Sequence, residues 1–135
     1  MLYVAQEGSE GDLERLRNQW EEMGVADGVH VVTGSEPFGP ALVRSSVFVR
    51  PTSTDGDSVS VREALAVGVP VVASDVCQRP KGCHIFQSRD AEQMAKTVLE
   101  VLIKGEKSPL ADTDDDAVEA IIERYKAARG GAWEN

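Results

Sequence analysis

Basic residues are in short supply in this chain: 14 Lys and Arg stand against 23 Asp and Glu, a formal net charge of −9 over 135 residues. That deficit argues against a nucleic-acid partner, because affinity for a phosphate backbone comes largely from clustered cations, and no helix or loop here carries a basic stripe. Long apolar runs are missing too; nothing approaches the roughly 18 residues that span a bilayer. The first residues lack a basic segment followed by an apolar one, so a secreted product is not expected. Cysteine is limited to Cys77 and Cys83, which flank Gln-Arg-Pro-Lys-Gly. A disulfide is geometrically possible there, but two reduced thiols are the expectation for a chain read as cytoplasmic. His84 lies beside Cys83, yet no fourth ligand is evident for a metal. What remains is ordinary for a globular protein: 41% hydrophobic and 27% charged residues, in a length suited to one domain with a modest core.

Apolar runs alternate with helical patterns. Residues 2–5 read as a strand, and Ser9 with Asp12 resembles a capping box. A helix follows with Leu13, Leu16, Trp20 and Met23 on one face, stopped by Gly24, and Trp20 is assigned to the core. Residues 29–33 form a second strand, in which His30 takes an edge or surface position, and Gly34 marks the turn after it. Pro37, Gly39 and Pro40 allow at most a short helix over 41–44. A third strand covers 47–49, a helix runs from about 58 to 67, and a strand over 69–73 follows. A Pro-, Gly- and Cys-containing loop leads to a brief strand, 84–86. Asp90 with Gln93 opens a helix whose buried stripe is expected at Met94, Val98, Val101 and Leu102. A polar connector over 107–116 precedes a last helix over 117–128, with Asp114, Asp115 and Asp116 at its positive end. The domain is expected to span 1–129, with 130–135 a loose tail in which Trp133 is an exposed contact.

Strands spaced by helices imply parallel pairing, hence an α/β class with a Rossmann-like, three-layer parallel sheet. In such sheets ligands bind beyond the carboxyl ends of the strands. The segments placed there are 6–11, 33–37, 50–58 and 74–78. One of them opens the most informative stretch of the chain, Asp55-Gly56-Asp57-Ser58-Val59-Ser60-Val61-Arg62-Glu63. A carboxylate in a loop, Asp55, could accept hydrogen bonds from sugar hydroxyls. Gly56 permits a tight turn and close approach of backbone. The N–H groups of Asp57, Ser58, Val59 and Ser60 could face an anion at the helix start, where the dipole adds to them. Glu63 lies far enough into the helix to bridge two ribose hydroxyls. A polyol joined to a diphosphate, the outline of a sugar nucleotide, suits this set. Arg50, Arg62, Arg79 and Lys81 stand near the same edge as candidates to neutralise the diphosphate.

The stretch continues Glu63-Ala64-Leu65-Ala66-Val67-Gly68-Val69-Pro70-Val71-Val72-Ala73-Ser74. Together the two runs resemble the E-x7-E signature of family 4 (group 1) glycosyltransferases and the segment that follows it. The flanks, 46–52 and 74–80, are similar to the family's as well, and a weaker likeness extends over 2–102. The resemblance implies the C-terminal, donor-binding half of a GT-B fold. By residue, it implies that Asp55 contacts the donor sugar as the catalytic-site acid. It also implies that Gly56, Asp57, Ser58 and Val59 offer backbone amides to sugar and diphosphate, and that Glu63 binds the ribose. Gly34, Ser35 and Glu36 would meet the base. The implied reaction is transfer of a hexosyl-type group from a UDP-, GDP- or ADP-sugar to a hydroxyl acceptor with retention, in polysaccharide biosynthesis, without cofactor or metal.

Departures from the family pattern are Asp55 for Glu, Asp57 and Ser58 where Phe and Gly are common, and Lys81 where Glu often follows Arg-Pro. The chain also starts at what would be the domain's second or third strand, so the donor half is read as N-terminally incomplete. The acceptor domain is expected elsewhere, or in a partner or second copy of the chain. A cytoplasmic location follows, with the membrane reached only through a partner. Four readings compete with this one. Asp55 and Asp57 could be turn-forming carboxylates, and Glu63 could cap Ser60. The whole chain could be a non-catalytic α/β module that works by assembly, or a sugar-nucleotide epimerase of the same general fold. Asp55, Asp57 and Glu63 lack the further oxygens and central Gly of a calcium loop.

Overall fold

A computed structural model of the chain describes residues 2–6, 10–33 and 38–105. The expected connector, last helix and tail, 107–135, and the turn at Gly34, Ser35 and Glu36 lie outside them, as does Ser9 of the expected capping box. The described residues fall into two compact units, 1–37 and 38–135, and each is taken by itself.

In the first unit β1 (Leu2–Gln6) pairs in parallel with β2 (Val29–Thr33), Leu2 opposite Val29 and Gln6 opposite Thr33. The link is α1 (Glu10–Glu22) and a single 3-10 turn, Ala26–Gly28. Gly24 ends α1 with φ +68. Its N–H reaches the Glu21 carbonyl, and that of Val25 reaches back to Trp20 at 2.9 Å. This pair of bonds closes a Schellman motif, for which a left-handed residue is required. The expected apolar face of α1 is only partly covered: Leu13, Leu16 and Trp20 are half-buried and Met23 is exposed, so Trp20 is not a fully buried core residue.

The second unit carries a parallel sheet in the order β3 (Phe48–Arg50), β4 (Val71–Ser74), β5 (Cys83–Phe86). Val71 stands opposite both Phe48 and Cys83. All four residues of β4 are buried, as an apolar run in a strand covered on both faces must be. Alternation sorts them. Val71 and Ala73 pack with Leu42 of α2 (Phe38–Val43) and with Val61, Ala64 and Leu65 of α3 (Val59–Ala66). Val72 packs instead with Phe86 of β5 and with Met94, Val98 and Val101 of α4 (Ala91–Lys104). A helix layer on each face of a parallel sheet is the three-layer α/β arrangement expected.

Helix ends follow local chemistry. The Asp90 carboxylate accepts from the Gln93 N–H at 2.8 Å at the start of α4, and Gly105 (φ +61) closes its end. Gly68 (φ +79) ends α3 in a second Schellman motif, the Gly68 N–H reaching Leu65 and that of Val69 reaching Ala64. The short helix expected over 41–44 starts earlier, at Phe38. One expectation about α4 needs correction: Leu102 is exposed, together with Leu99 and Ile103, so the stripe turns away from the sheet after Val101. No helix among the described residues is long and apolar enough to cross a membrane.

Candidate functional site

Because β3 and β4 are parallel neighbours, the loops that leave them emerge on one edge. The first runs over 51–58 into α3, and the second over 75–82 into β5. Ser74, the last residue of β4, is 1% exposed. Its hydroxyl donates to the Thr52 carbonyl at 2.7 Å, with a longer contact to that of Arg50. This ties the end of one strand to the exit of its neighbour. The second loop reaches back as well, since the Cys77 thiol donates to the Gly56 carbonyl at 3.2 Å. Both cysteines are free, and burial pushes the Cys83 thiol up from its ordinary pKa.

Asp55 is the hub of this edge. Its Oδ2 accepts from Arg50 Nε at 3.0 Å, Thr52 Oγ1 at 3.2 Å and Arg79 Nη1 at 2.9 Å. Its Oδ1 accepts from the Gly56 N–H at 3.0 Å and, more distantly, from Arg50 Nη2 at 3.4 Å. The Asp55 side chain is 9% exposed and that of Arg79 3%. Arg79 also donates to the Ser74 carbonyl at 2.9 Å and lies near Ser74 Oγ and Thr52 Oγ1. The Arg50 guanidinium, then that of Arg79, hold the Asp55 carboxyl well below the usual carboxylate range. A carboxylate offers about four lone-pair sites, and protein donors already fill them.

The expected geometry and the observed one therefore differ at three positions. Asp55 does not present an open acceptor to a sugar; it binds two arginines and its own loop. Gly56 is exposed, with no positive φ and open space where a Cβ would stand, so no turn there demands glycine. Its N–H is used by Asp55 rather than left for a ligand. Arg79 is not a free cation for a phosphate.

The start of α3 is different. Ser58 takes the N-cap position in extended conformation but shares a hydroxyl–hydroxyl hydrogen bond with Ser60 Oγ at 3.0 Å, and makes no side-chain cap. The N–H groups of Val59, Ser60 and Val61 have no protein acceptor among the described residues, as expected for a first helical turn that nothing caps. Asp57, exposed just before the helix, pairs with Arg62 through two contacts of 2.8 and 2.9 Å. Glu63 is half-buried on α3, and its carboxylate has no hydrogen-bond or ion-pair partner among the described residues. With the N-cap at Ser58, the Ser60–Glu63 capping box is not formed. The expected amides at 58–60 and the acid at 63 therefore lie along the first two turns of one helix, while Asp55 is engaged by Arg50, Thr52 and Arg79 in the loop before it. Sequence reasoning did not anticipate Ser74 and Thr52 as the joint beneath the loop, although parallel pairing of β3 with β4 already places residues 52 and 74 on one edge.

The architecture is that of a parallel α/β protein whose open strand ends meet an uncapped helix start. The family model for group 1 glycosyl transferases matches residues 2–104, and the chain belongs to that family. It is 26% identical over 133 residues to an uncharacterized glycosyltransferase of Haemophilus influenzae, covering 88% of this chain and 37% of that protein. Among solved structures it is similar to WaaG, a glycosyltransferase involved in lipopolysaccharide biosynthesis, with a TM-score of 0.66 and 15% identity over 98% of this chain and 34% of the other. It also resembles TarM, with a TM-score of 0.61 and 20% identity over 91% and 25% of the two chains. The fold is therefore a parallel α/β sheet matching part of these glycosyltransferase structures, as expected for half of a GT-B fold. The chain spans about a third of the length of the relatives it matches.

Proposed function

We propose that this chain forms the donor-binding part of a retaining glycosyltransferase that moves a hexosyl-type group from a nucleoside diphosphate sugar to a hydroxyl acceptor. The observation that carries the reading is the half-buried Glu63 carboxylate, without a partner among the described residues, on the helix whose first-turn N–H groups are uncapped, at the edge of β3 and β4. A diphosphate accepts from those amides and gains from the helix dipole, while Glu63 accepts from the two ribose hydroxyls. Asp55 acts from behind: by holding Arg50, Arg79 and its own loop it sets where the amides after it point. Stabilising the leaving diphosphate in this way lowers the barrier to departure of the sugar. Gly34, Ser35 and Glu36 keep their proposed part at the base, and no metal is needed in the site. The acceptor comes to a domain or partner beyond this unit, and the setting is cytoplasmic polysaccharide assembly.

Calorimetric titration with UDP, GDP and ADP tests this. One of the three binds, and Glu63→Ala weakens it by about 1–3 kcal/mol, the usual worth of hydrogen bonds to a charged group. Unchanged affinity in the variant would sink the ribose assignment. A second reading, a module that works by assembly, draws on the exposed Leu99, Leu102 and Ile103 of α4. A concentration-dependent mass in light scattering, with no nucleotide binding, would favour it.

A further inference from the structure

α4 carries more apolar surface than one sheet face can cover. Met94, Val98 and Val101 form the stripe packed with Val72 and Phe86. Ala95, Leu99, Leu102 and Ile103 form a second stripe beside it, and all four are exposed, Ile103 to 83%. At 100° per residue the two stripes together span roughly 200° of the helix surface, about twice the apolar arc of a helix buried on one side. The second stripe runs into a groove of about 400 Å³ whose walls include Val43, Val67, Val69, Pro70, Leu102 and Gly105. These residues stand at the ends of α2, α3 and α4 and just before β4, on the edge of the sheet opposite Asp55. A contiguous apolar surface left open to water marks a contact surface.

Residues 106–135 continue from Gly105, itself a wall of the groove. The stretch 106–116 is mostly polar, whereas in 117–128 Val118, Ile121, Ile122 and Tyr125 recur at the spacing of one helical face. From this arrangement we infer that 117–128 folds back as a helix antiparallel to α4, lays that face on the second stripe and closes the groove. The lengths agree. A helix over 117–128 extends about 18 Å and α4 about 21 Å, and the connector is ample to turn between helix axes about 8–10 Å apart. The charges agree as well. Antiparallel packing brings Asp114, Asp115 and Asp116 to the end of α4 that carries Lys104, where acids at a helix start and a base at a helix end are both favoured. A tether of this length presents the segment at an effective concentration in the millimolar range, well above that of a second copy, and two copies of net charge −9 repel each other. The face on which a self-assembling module would rely is thus taken by the chain itself, on the edge away from the loops around Asp55.

Photochemical carbene labelling of the full chain, read residue by residue by mass spectrometry, tests this. Val59, exposed on α3, serves as the open reference. In the parent, Leu99, Leu102 and Ile103 should be labelled several-fold less than Val59, at every protein concentration, while light scattering shows an unchanging mass. In Ile121→Asp combined with Ile122→Asp their labelling should rise to the level of Val59. The thermal midpoint should fall by roughly 5 °C or more, as loss of a buried apolar contact does. Should that variant unfold outright, proximity is read with the apolar face of the segment otherwise intact. Ile103→Cys with Val118→Cys, treated with a short bismaleimide, should give an intrachain link between the two peptides. Labelling of α4 as heavy as that of Val59 in the parent, labelling unmoved by the two aspartates in a folded variant, or no link between 103 and 118 would overturn the inference. Protection that appears only as the mass doubles, or a link between chains, assigns the face to a second copy and overturns it as well.

Discussion

Replacing Arg79 by Ala should cost stability far beyond what a loop arginine normally carries. The side chain is 3% exposed and donates to Asp55 and to the Ser74 carbonyl at 2.9 Å each. Breaking a buried ion pair from one side costs about 3–5 kcal/mol, because the remaining charge is left without its partner. Here Arg50 stays on Asp55 at 3.0 Å, which lowers the expectation to about 2–3 kcal/mol. With a urea slope of roughly 1.5 kcal/mol per M, the unfolding midpoint falls by about 1.3–2 M. Circular dichroism is the suitable probe, since it follows the helices and strands packed around this loop. Arg79→Lys keeps the charge but cannot span Asp55 and Ser74 with one planar fork, and should recover only part of the loss. The acid limb adds a second readout. Asp55 titrates below its unfolded value of about 3.9, so the unfolded chain binds more protons there, and stability drops as the pH falls below about 4. In Arg79→Ala the folded value rises toward the ordinary one and this part of the acid dependence shrinks. A midpoint shift under about 0.3 M, with an unchanged acid limb, would refute the network as a structural hub.

Two further outcomes follow from local geometry. Gly68→Ala should destabilise the second unit by about 1 kcal/mol, through its left-handed backbone alone; nothing lies within 4 Å of the added Cβ, so thermal unfolding should show a small loss without a new clash, and none at all would count against the assigned turn. Cys83 should react slowly with iodoacetamide, because burial raises its thiol pKa and the thiolate is the nucleophile; peptide mass spectrometry should show its labelling accelerating at higher pH.

The sheet of the second unit was readable from the chain because its signals are local. The run from Val69 to Ser74 is apolar without alternation, which marks a strand covered on both faces, and Gly68 supplies a left-handed stop. The same holds for the start of α4, where Asp90 and Gln93 identify the cap. What was not readable depends on pairs distant in sequence. Leu102 fits a helical stripe by spacing, but whether a position is covered depends on where the sheet ends, and β5 is only four residues long. Trp20 likewise fits the face of α1, yet a two-stranded sheet offers little surface to bury it. Spacing tells which residues share a side; it does not tell how much protein lies opposite.

The acid pair shows the same limit in chemical form. Written as acid-x7-acid, Asp55 and Glu63 look equivalent, two carboxylates turned to one ligand. Their surroundings separate them. Asp55 meets two guanidiniums because Arg50 ends the strand before its loop and Arg79 follows the neighbouring parallel strand, a contact across 24 residues. Two positive charges against one carboxylate leave this loop cluster with a surplus of +1. Glu63, one turn and more into α3, meets no cation among the described residues. A carboxylate left open at half-burial is tolerated when a ligand completes it, since its solvation is already partly lost and hydroxyl donors restore what the protein withholds. The shorter Asp in place of Glu fits these contacts: one methylene less keeps the acid on Arg79 and Thr52.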